Sequence, residues 1–191
     1  MNEKKRIMKK YISAFCLLFC FAILPMSAQN AASSVFTSVP VTNGKVVFQQ
    51  FIHVDQELSD DQKYALLQKW AKGKFSGSPL LLGIRLDDKL QSVTVSAKVE
   101  LPAGGEKIGM NYRFDAAVSN SGCMLTVRDV SYQLNTSKGA SFFPKTYSAE
   151  EMITDQAINS DSEMKALKTD LRKSTLNFLN ELYAGLSGVF Q

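Results

Sequence analysis

Between residues 92 and 118 the chain alternates apolar and polar side chains almost without a break. Val93, Val95, Ala97, Val99 and Leu101 are interleaved with Ser92, Thr94, Ser96, Lys98 and Glu100, the period-2 pattern of a strand with one dry and one wet face. Pro102-Ala103-Gly104-Gly105-Glu106 then supplies a turn. Beyond it Ile108, Met110, Tyr112, Phe114, Ala116 and Val118 alternate with Asn111, Arg113 and Asp115, and Asn120-Ser121-Gly122 turns the chain again into residues 123–134. This pattern predicts an antiparallel meander whose apolar sides all face one way. Upstream, Leu80-Leu81-Leu82-Gly83-Ile84-Arg85-Leu86 follows Pro79 and ends at Asp87-Asp88, which adds a further strand and its turn.

Another strand precedes these, because the turn signal Asn43-Gly44 leads into the β-branched and aromatic run Lys45-Val46-Val47-Phe48-Gln49-Gln50-Phe51-Ile52-His53-Val54. Alternation places Val47 and Phe51 opposite Phe48 and Ile52, so this strand is expected to be covered on both sides or to lie at an interface. Ser59-Asp60-Asp61-Gln62 forms a capping box with two acids at the positive end of the helix dipole. Behind it Tyr64, Leu67, Trp70 or Ala71, and Phe75 repeat at helical spacing, giving a helix to about Lys74. Residues 135–159 read as a connection punctuated by Lys138-Gly139-Ala140 and Pro144, with Ser148-Ala149-Glu150-Glu151 capping a short helical piece. A second capping box, Ser160-Asp161-Ser162-Glu163, precedes Met164, Leu167, Leu171, Phe178, Leu179, Leu182 and Leu186. These predict a long amphipathic helix over residues 160–187, lying on the sheet against Val95, Val99, Tyr112 and Phe114. The order strand, helix, four strands, helix defines an α+β class, and no 20- to 50-residue period recurs.

The N-terminus changes how composition is read. A basic stretch (Lys4, Lys5, Arg6, Lys9, Lys10), an apolar run over residues 11–24, Pro25 and the small pair Ser27-Ala28 have the layout of a secretory signal peptide over residues 1–28. The apolar run falls short of the ~20 residues that span a membrane, so it is read as removed and leaves no transmembrane segment. Neither Cys16 nor Cys20 sits where a lipoprotein cysteine would, and Cys123 becomes the lone thiol of the exported chain, expected to be buried. The formal charge of +4 comes from 22 basic and 18 acidic residues. Five basic residues and Glu3 lie in 1–28, which leaves 17 of each sign and removes the electrostatic case for nucleic acid as a partner. Residues 29–38 then read as a flexible lead-in and 39–191 as one domain.

Several local phrases, taken in order, resemble a known family. Gly44-Lys45-Val46-Val47-Phe48, Lys69-Trp70 on the helix, Tyr112-Arg113-Phe114 and Arg128-Asp129-Val130 are similar to the Bacteroidetes domain of unknown function 4468, whose fold is described as TATA-binding-protein-like (TBP-like). The likeness covers roughly residues 39–134 and departs at Ser92-Val93-Thr94-Val95, where glycines are expected. It implies a β-α-β(4)-α fold, a curved antiparallel sheet with a long C-terminal helix on one face, and a bacterial envelope setting. It implies no activity and carries over no functional residues.

Chemistry is sparse. His53 is the single histidine, which removes zinc sites built on several imidazoles and leaves one candidate base for a triad; its place in the strand reads as surface. Asp87-Asp88 fits a hairpin turn, Asp60-Asp61 a helix start beside Asp55 and Glu57, and Gly104-Gly105 a turn without a phosphate loop's strand-helix context. Asn135-Thr136-Ser137 matches a glycosylation acceptor without further support. Asp115 and Asp129 would serve a carboxylate hydrolase only by converging in a pocket; as wet-face residues they are expected to pair with Arg113 or Arg128. No catalytic, cofactor or metal residue is assigned. Phe48, Phe51, Trp70, Tyr112, Phe114, Tyr132 and Phe178 are candidates for lining a cavity or an interface. The resulting expectation is a periplasmic or secreted, non-enzymatic module that binds an envelope protein or surface polymer, the alternative being a carrier of a small apolar ligand or lipid between sheet and helix.

Overall fold

Strict alternation over three long neighbouring segments produces a sheet with one dry face, and the helices gather there. The computed structural model describes residues 34–54, 57–134 and 145–191, all within the compact unit Ser33–Gln191. The signal peptide, Cys16, Cys20, Asp55 and the Asn135 acceptor lie outside the described residues. A small hairpin, β1 (Val41–Thr42) and β2 (Lys45–Val46), turns at Asn43-Gly44 and leads into β3 (Phe48–His53). Helix α1 (Asp60–Phe75) follows, then β4 (Leu81–Asp87), β5 (Ser92–Ala103), β6 (Glu106–Ser119) and β7 (Gly122–Leu134). The last part holds β8 (Lys145–Ser148), α2 (Ala149–Met152), α3 (Asp155–Asn159) and α4 (Lys165–Ser187).

The main sheet has the order β3-β7-β6-β5-β4, antiparallel throughout and not closed. β8 shares the outer edge of β7 with β3: β3 pairs residues 122–127 of β7, and β8 pairs residues 131–134. Where β3 meets the start of β7 the backbones come so close that a Cβ on Gly122 would overlap the Ile52 carbonyl, so glycine is required there.

The dry face carries Phe48, Ile52, Val93, Val95, Met110, Phe114, Ala116, Leu125, Val127 and Tyr132, all fully or almost fully buried. Two helices divide it. α1 covers the end near the β6–β7 turn, where Trp70 and Phe75 pack on Phe114 with ring centroids 5.6 and 6.1 Å away. α4 covers the other end. There Phe178 meets Tyr112 at 5.1 Å, and Thr175 exchanges a buried 2.9 Å hydrogen bond with the Tyr132 hydroxyl. Satisfying both hydroxyls is what makes their burial tolerable.

The capping box at Ser59 forms and Ser148 caps a short helix, whereas the box at Ser160 does not form; the third position of the α1 stripe belongs to fully buried Ala71, with Trp70 half-buried beside it. Four expectations need correction. The long helix begins at Lys165, not at residue 160, because Ser160 ends α3: its N–H and hydroxyl both turn back onto that helix. The Asp161 carboxylate instead receives the Met164 N–H at 3.1 Å. The connection over 135–159 contains β8, α2 and α3, so the chain has more elements than strand, helix, four strands, helix. Phe114 lies under α1 and not under α4 alone. Finally, the docked chain begins before Val39. Phe36 is buried edge-on against Phe48 and Tyr183, and Asn180 accepts the N–H groups of Val35 and Phe36 while donating to the Phe36 carbonyl.

Leu171 and Leu179 of α4 are fully buried. Each contributes ~1.5–3 kcal/mol by burial, and an aspartate there would add an unpaired buried charge to a domain stabilised by ~5–15 kcal/mol. Leu179→Asp is therefore expected to abolish the cooperative urea transition followed by circular dichroism. Leu82→Asp, at a side chain 68% exposed, should leave that transition nearly unchanged.

Candidate functional site

Three surfaces gather side chains that the fold does not consume. The first is the sheet face turned away from the helices. At its centre Asp115 of β6 accepts a hydrogen bond from Thr94 Oγ1 at 2.7 Å and one from Arg128 Nε at 2.9 Å. Arg113 Nε lies 3.5 Å from the same carboxylate without making a hydrogen bond. Arg128 also reaches Asp129 at 3.0 Å, so one guanidinium bridges both acids. Asp115 and Asp129 thus form cross-strand and neighbour ion pairs, as their wet-face positions imply. On the same face Phe51 and His53 stack edge-on at 4.8 Å.

A second surface is the gap between β3 and β8 on the edge of β7. The pairing of β6 with β7 slips between Asn111 and Arg113, and Asp129 takes a left-handed backbone with φ of 54°, the marks of a β-bulge. Lys45, Val46 and Val47 on one side and Ser148 and Glu150 on the other frame a cleft of about 410 Å³ over residues 128–131. Glu150 holds the hairpin in place by accepting the Val46 N–H at 2.7 Å. Its burial works against the charge, but that hydrogen bond, others from its own N–H and Ser148, and the Lys45 ammonium outweigh it and hold the carboxyl below the usual range.

The third is a groove of about 440 Å³ along the outer side of α1, lined by Leu66, Lys69, Trp70, Gly73, Lys74 and Val189. Val189 arrives on the turn that follows α4, fixed by its N–H to Leu186 O at 3.1 Å. The Trp70 ring is held by Phe75 and Phe114.

Of the seven aromatic residues singled out in the sequence, Phe48, Tyr112, Phe114 and Tyr132 are core, and Phe178 is half-buried against Tyr112. Phe51 lies on the open face, and Trp70 lines the α1 groove. Asp88 is occupied by Tyr64 and Gln68 of α1, and Asp87 by the Leu90 N–H and Arg85. Among the described residues no group of three His, Cys, Asp or Glu is placed to hold a metal ion, and no helix is long and apolar enough to cross a membrane. Periodicity gave no hint of Lys63, which is buried in α1 and donates to the Ser119 and Asn120 carbonyls at 2.6 and 2.7 Å while pairing with Asp60. Nor did it reveal Gly73 and Val189, although Leu66, Trp70 and Gly73 at 4- and 3-residue steps trace a second stripe beside the buried one.

Comparison with solved structures places this architecture. A TBP-like protein from Parabacteroides distasonis superposes with a TM-score of 0.67 at 21% identity, covering 80% of this chain and 97% of that one. The fold is TBP-like. A DUF4468 family protein from Bacteroides ovatus superposes on this chain with a TM-score of 0.64 at 18% identity, over 82% of this chain and 92% of its own. The two neighbours carry the fold and family names that the sequence resemblance pointed to. No family model and no curated protein sequence matches the chain.

The interior of this TBP-like fold makes its protons hard to remove. Burial pushes the Cys123 thiol from an ordinary 9.0 up to about 12, a rise only partly countered by a backbone hydrogen bond and Lys63. Burial likewise moves Tyr112 from 10.0 up to about 12. The native state keeps protons that the unfolded chain releases, so stability falls as pH rises from about 9 towards 12. The urea midpoint is expected to drop between about pH 8 and about pH 10.5. Cys123 should stay inert to thiol reagents at the lower pH until denaturant is added.

Proposed function

We propose that this chain is a non-catalytic binding module exported to a bacterial cell envelope, where it acts in the periplasm or outside the cell. The signal-peptide pattern of residues 1–28 and the even charge of the remainder support export without a nucleic-acid partner.

The observation that carries the binding role is the α1 groove. Apolar surface of Trp70, Leu66 and Val189 lies open there beside Lys69 and Lys74, whose side chains make no hydrogen bond or ion pair among the described residues. Open apolar surface next to unneutralised charge is what a recognition site requires and what a packing surface avoids. The carrier alternative moves with it. Tyr112, Phe114, Tyr132 and Phe178 between sheet and helices are packed on Trp70, Phe75, Thr175 and one another, so space for an apolar ligand is better offered on the outside of α1 than within.

Native mass spectrometry of the chain purified gently from its own host's envelope tests the module reading. A retained small molecule or a partner protein is the expected result. A chain that emerges alone at every ionic strength tried would overturn it.

A further inference from the structure

Gly73 is the residue on which the α1 groove depends. It sits in the last turns of a 16-residue helix, is exposed, and a Cβ built there would meet nothing within 4 Å. Its backbone is not among those with positive φ, so no turn or close approach explains a residue that weakens helices. What glycine does here is leave volume, about 440 Å³ together with its neighbours, within the ~300–1,000 Å³ typical of small-molecule sites. The floor is an indole fixed by two phenyl rings, and the aliphatic Leu66 and Val189 beside it favour a hydrocarbon over a hydrated headgroup.

Charge then selects the sign of the ligand. Lys69 and Lys74 flank the groove with ammonium groups unpaired among the described residues, Lys72 adds a third cation to this half of α1, and the two acids of the helix, Asp60 and Asp61, lie in its first turn. An anionic end is attracted and a cationic one repelled. We propose that the groove is a site for a free single-chain amphiphile with a carboxylate head. Its hydrocarbon lies over Gly73 against Trp70, Leu66 and Val189, and its head is within reach of Lys69 and Lys74. The inference rests on the binding-module reading and adds the class of ligand.

Trp70 is the single tryptophan of the chain, so its emission reports on this groove directly. The probe is dodecanoate below its micellar concentration, compared with 1-dodecanol and with vesicles of anionic phospholipid. A saturable blue shift with dodecanoate and weaker binding of the alcohol are expected. Gly73→Leu should fold with unchanged circular dichroism and lose at least ~10-fold in affinity as the side chain fills the groove. Lys69→Gln with Lys74→Gln, both exposed, should lose roughly 3- to 10-fold and erase the preference for carboxylate over alcohol. Four results would overturn the proposal: an unmoved Trp70 emission, equal affinity in Gly73→Leu, equal affinity for the alcohol, or a shift with vesicles but not with monomeric dodecanoate. A partner protein retained in native mass spectrometry beside an unmoved Trp70 would remove the ligand class and leave the module reading standing.

Discussion

A sheet of long alternating strands has one face that must be dried, and everything else in this molecule is arranged around drying it. β5, β6 and β7 together present a dry area wider than one helix covers, since a helix with its side chains is ~10–12 Å across. The chain therefore lays α1 over one end and α4 over the other, with Phe114 under the first and Tyr112 and Tyr132 under the second. The rest is closed over Phe48 by Phe36 of the N-terminal segment, which Asn180 of α4 pins through three backbone hydrogen bonds, and by α2 beside β7, with Met152 and Ile153 fully buried. Each piece covers what its neighbour leaves wet, which is why the loss of one buried leucine in α4 is expected to be felt by the whole domain.

The same constraint accounts for the bulge. Buried positions on β7 run 123, 125, 127 and then 130, 132: the parity changes at Arg128-Asp129. A continuous strand would have turned Val130 and Tyr132 to the wet face after Val127, so an extra residue is inserted and Asp129 adopts a left-handed backbone to absorb it. The bulge lies where β3 has ended along β7 and β8 has not yet begun. Arg128, freed to lean across the wet face, then joins Asp115 to Asp129. A motif that reads in the sequence as a packing phrase is thus a register correction, with the ion pairs as its consequence.

What was legible in the sequence follows from what acts locally. The meander, its turns and the Ser59 and Ser148 capping boxes depend on neighbours within four residues, and all of them form. The resemblance, carried by the order of several weak phrases, pointed to the fold of the two structural neighbours. Features set by distant partners were illegible. Ser160 has the same neighbours whether it starts or ends a helix, and the choice falls to α3 because Ala157 and Ile158 are buried there. A lysine at position 63 reads as solvent-facing until the β6–β7 turn brings two carbonyls to it. The α1 groove was hidden for a further reason: its opening is a missing side chain, and its far wall, Val189, is contributed from the other end of the domain.

Two glycines show how far the fold accounts for the sequence. At Gly122 the Ile52 carbonyl occupies the space a side chain would need, so folding alone explains the residue. At Gly73 the space is empty, the backbone is ordinary, and alanine would favour the helix by ~0.5–1 kcal/mol. A position that lowers helix stability without easing any contact among the described residues has no role there in drying the sheet. Trp70 beside it points the same way. Its inner edge meets Phe114 and Phe75, as the core requires, but the ring is only half-buried and its remaining surface faces the groove instead of being covered. None of the described residues supplies the wall it lacks, and the ammonium groups of Lys69 and Lys74, unpaired among the described residues, favour a negatively charged group beside it.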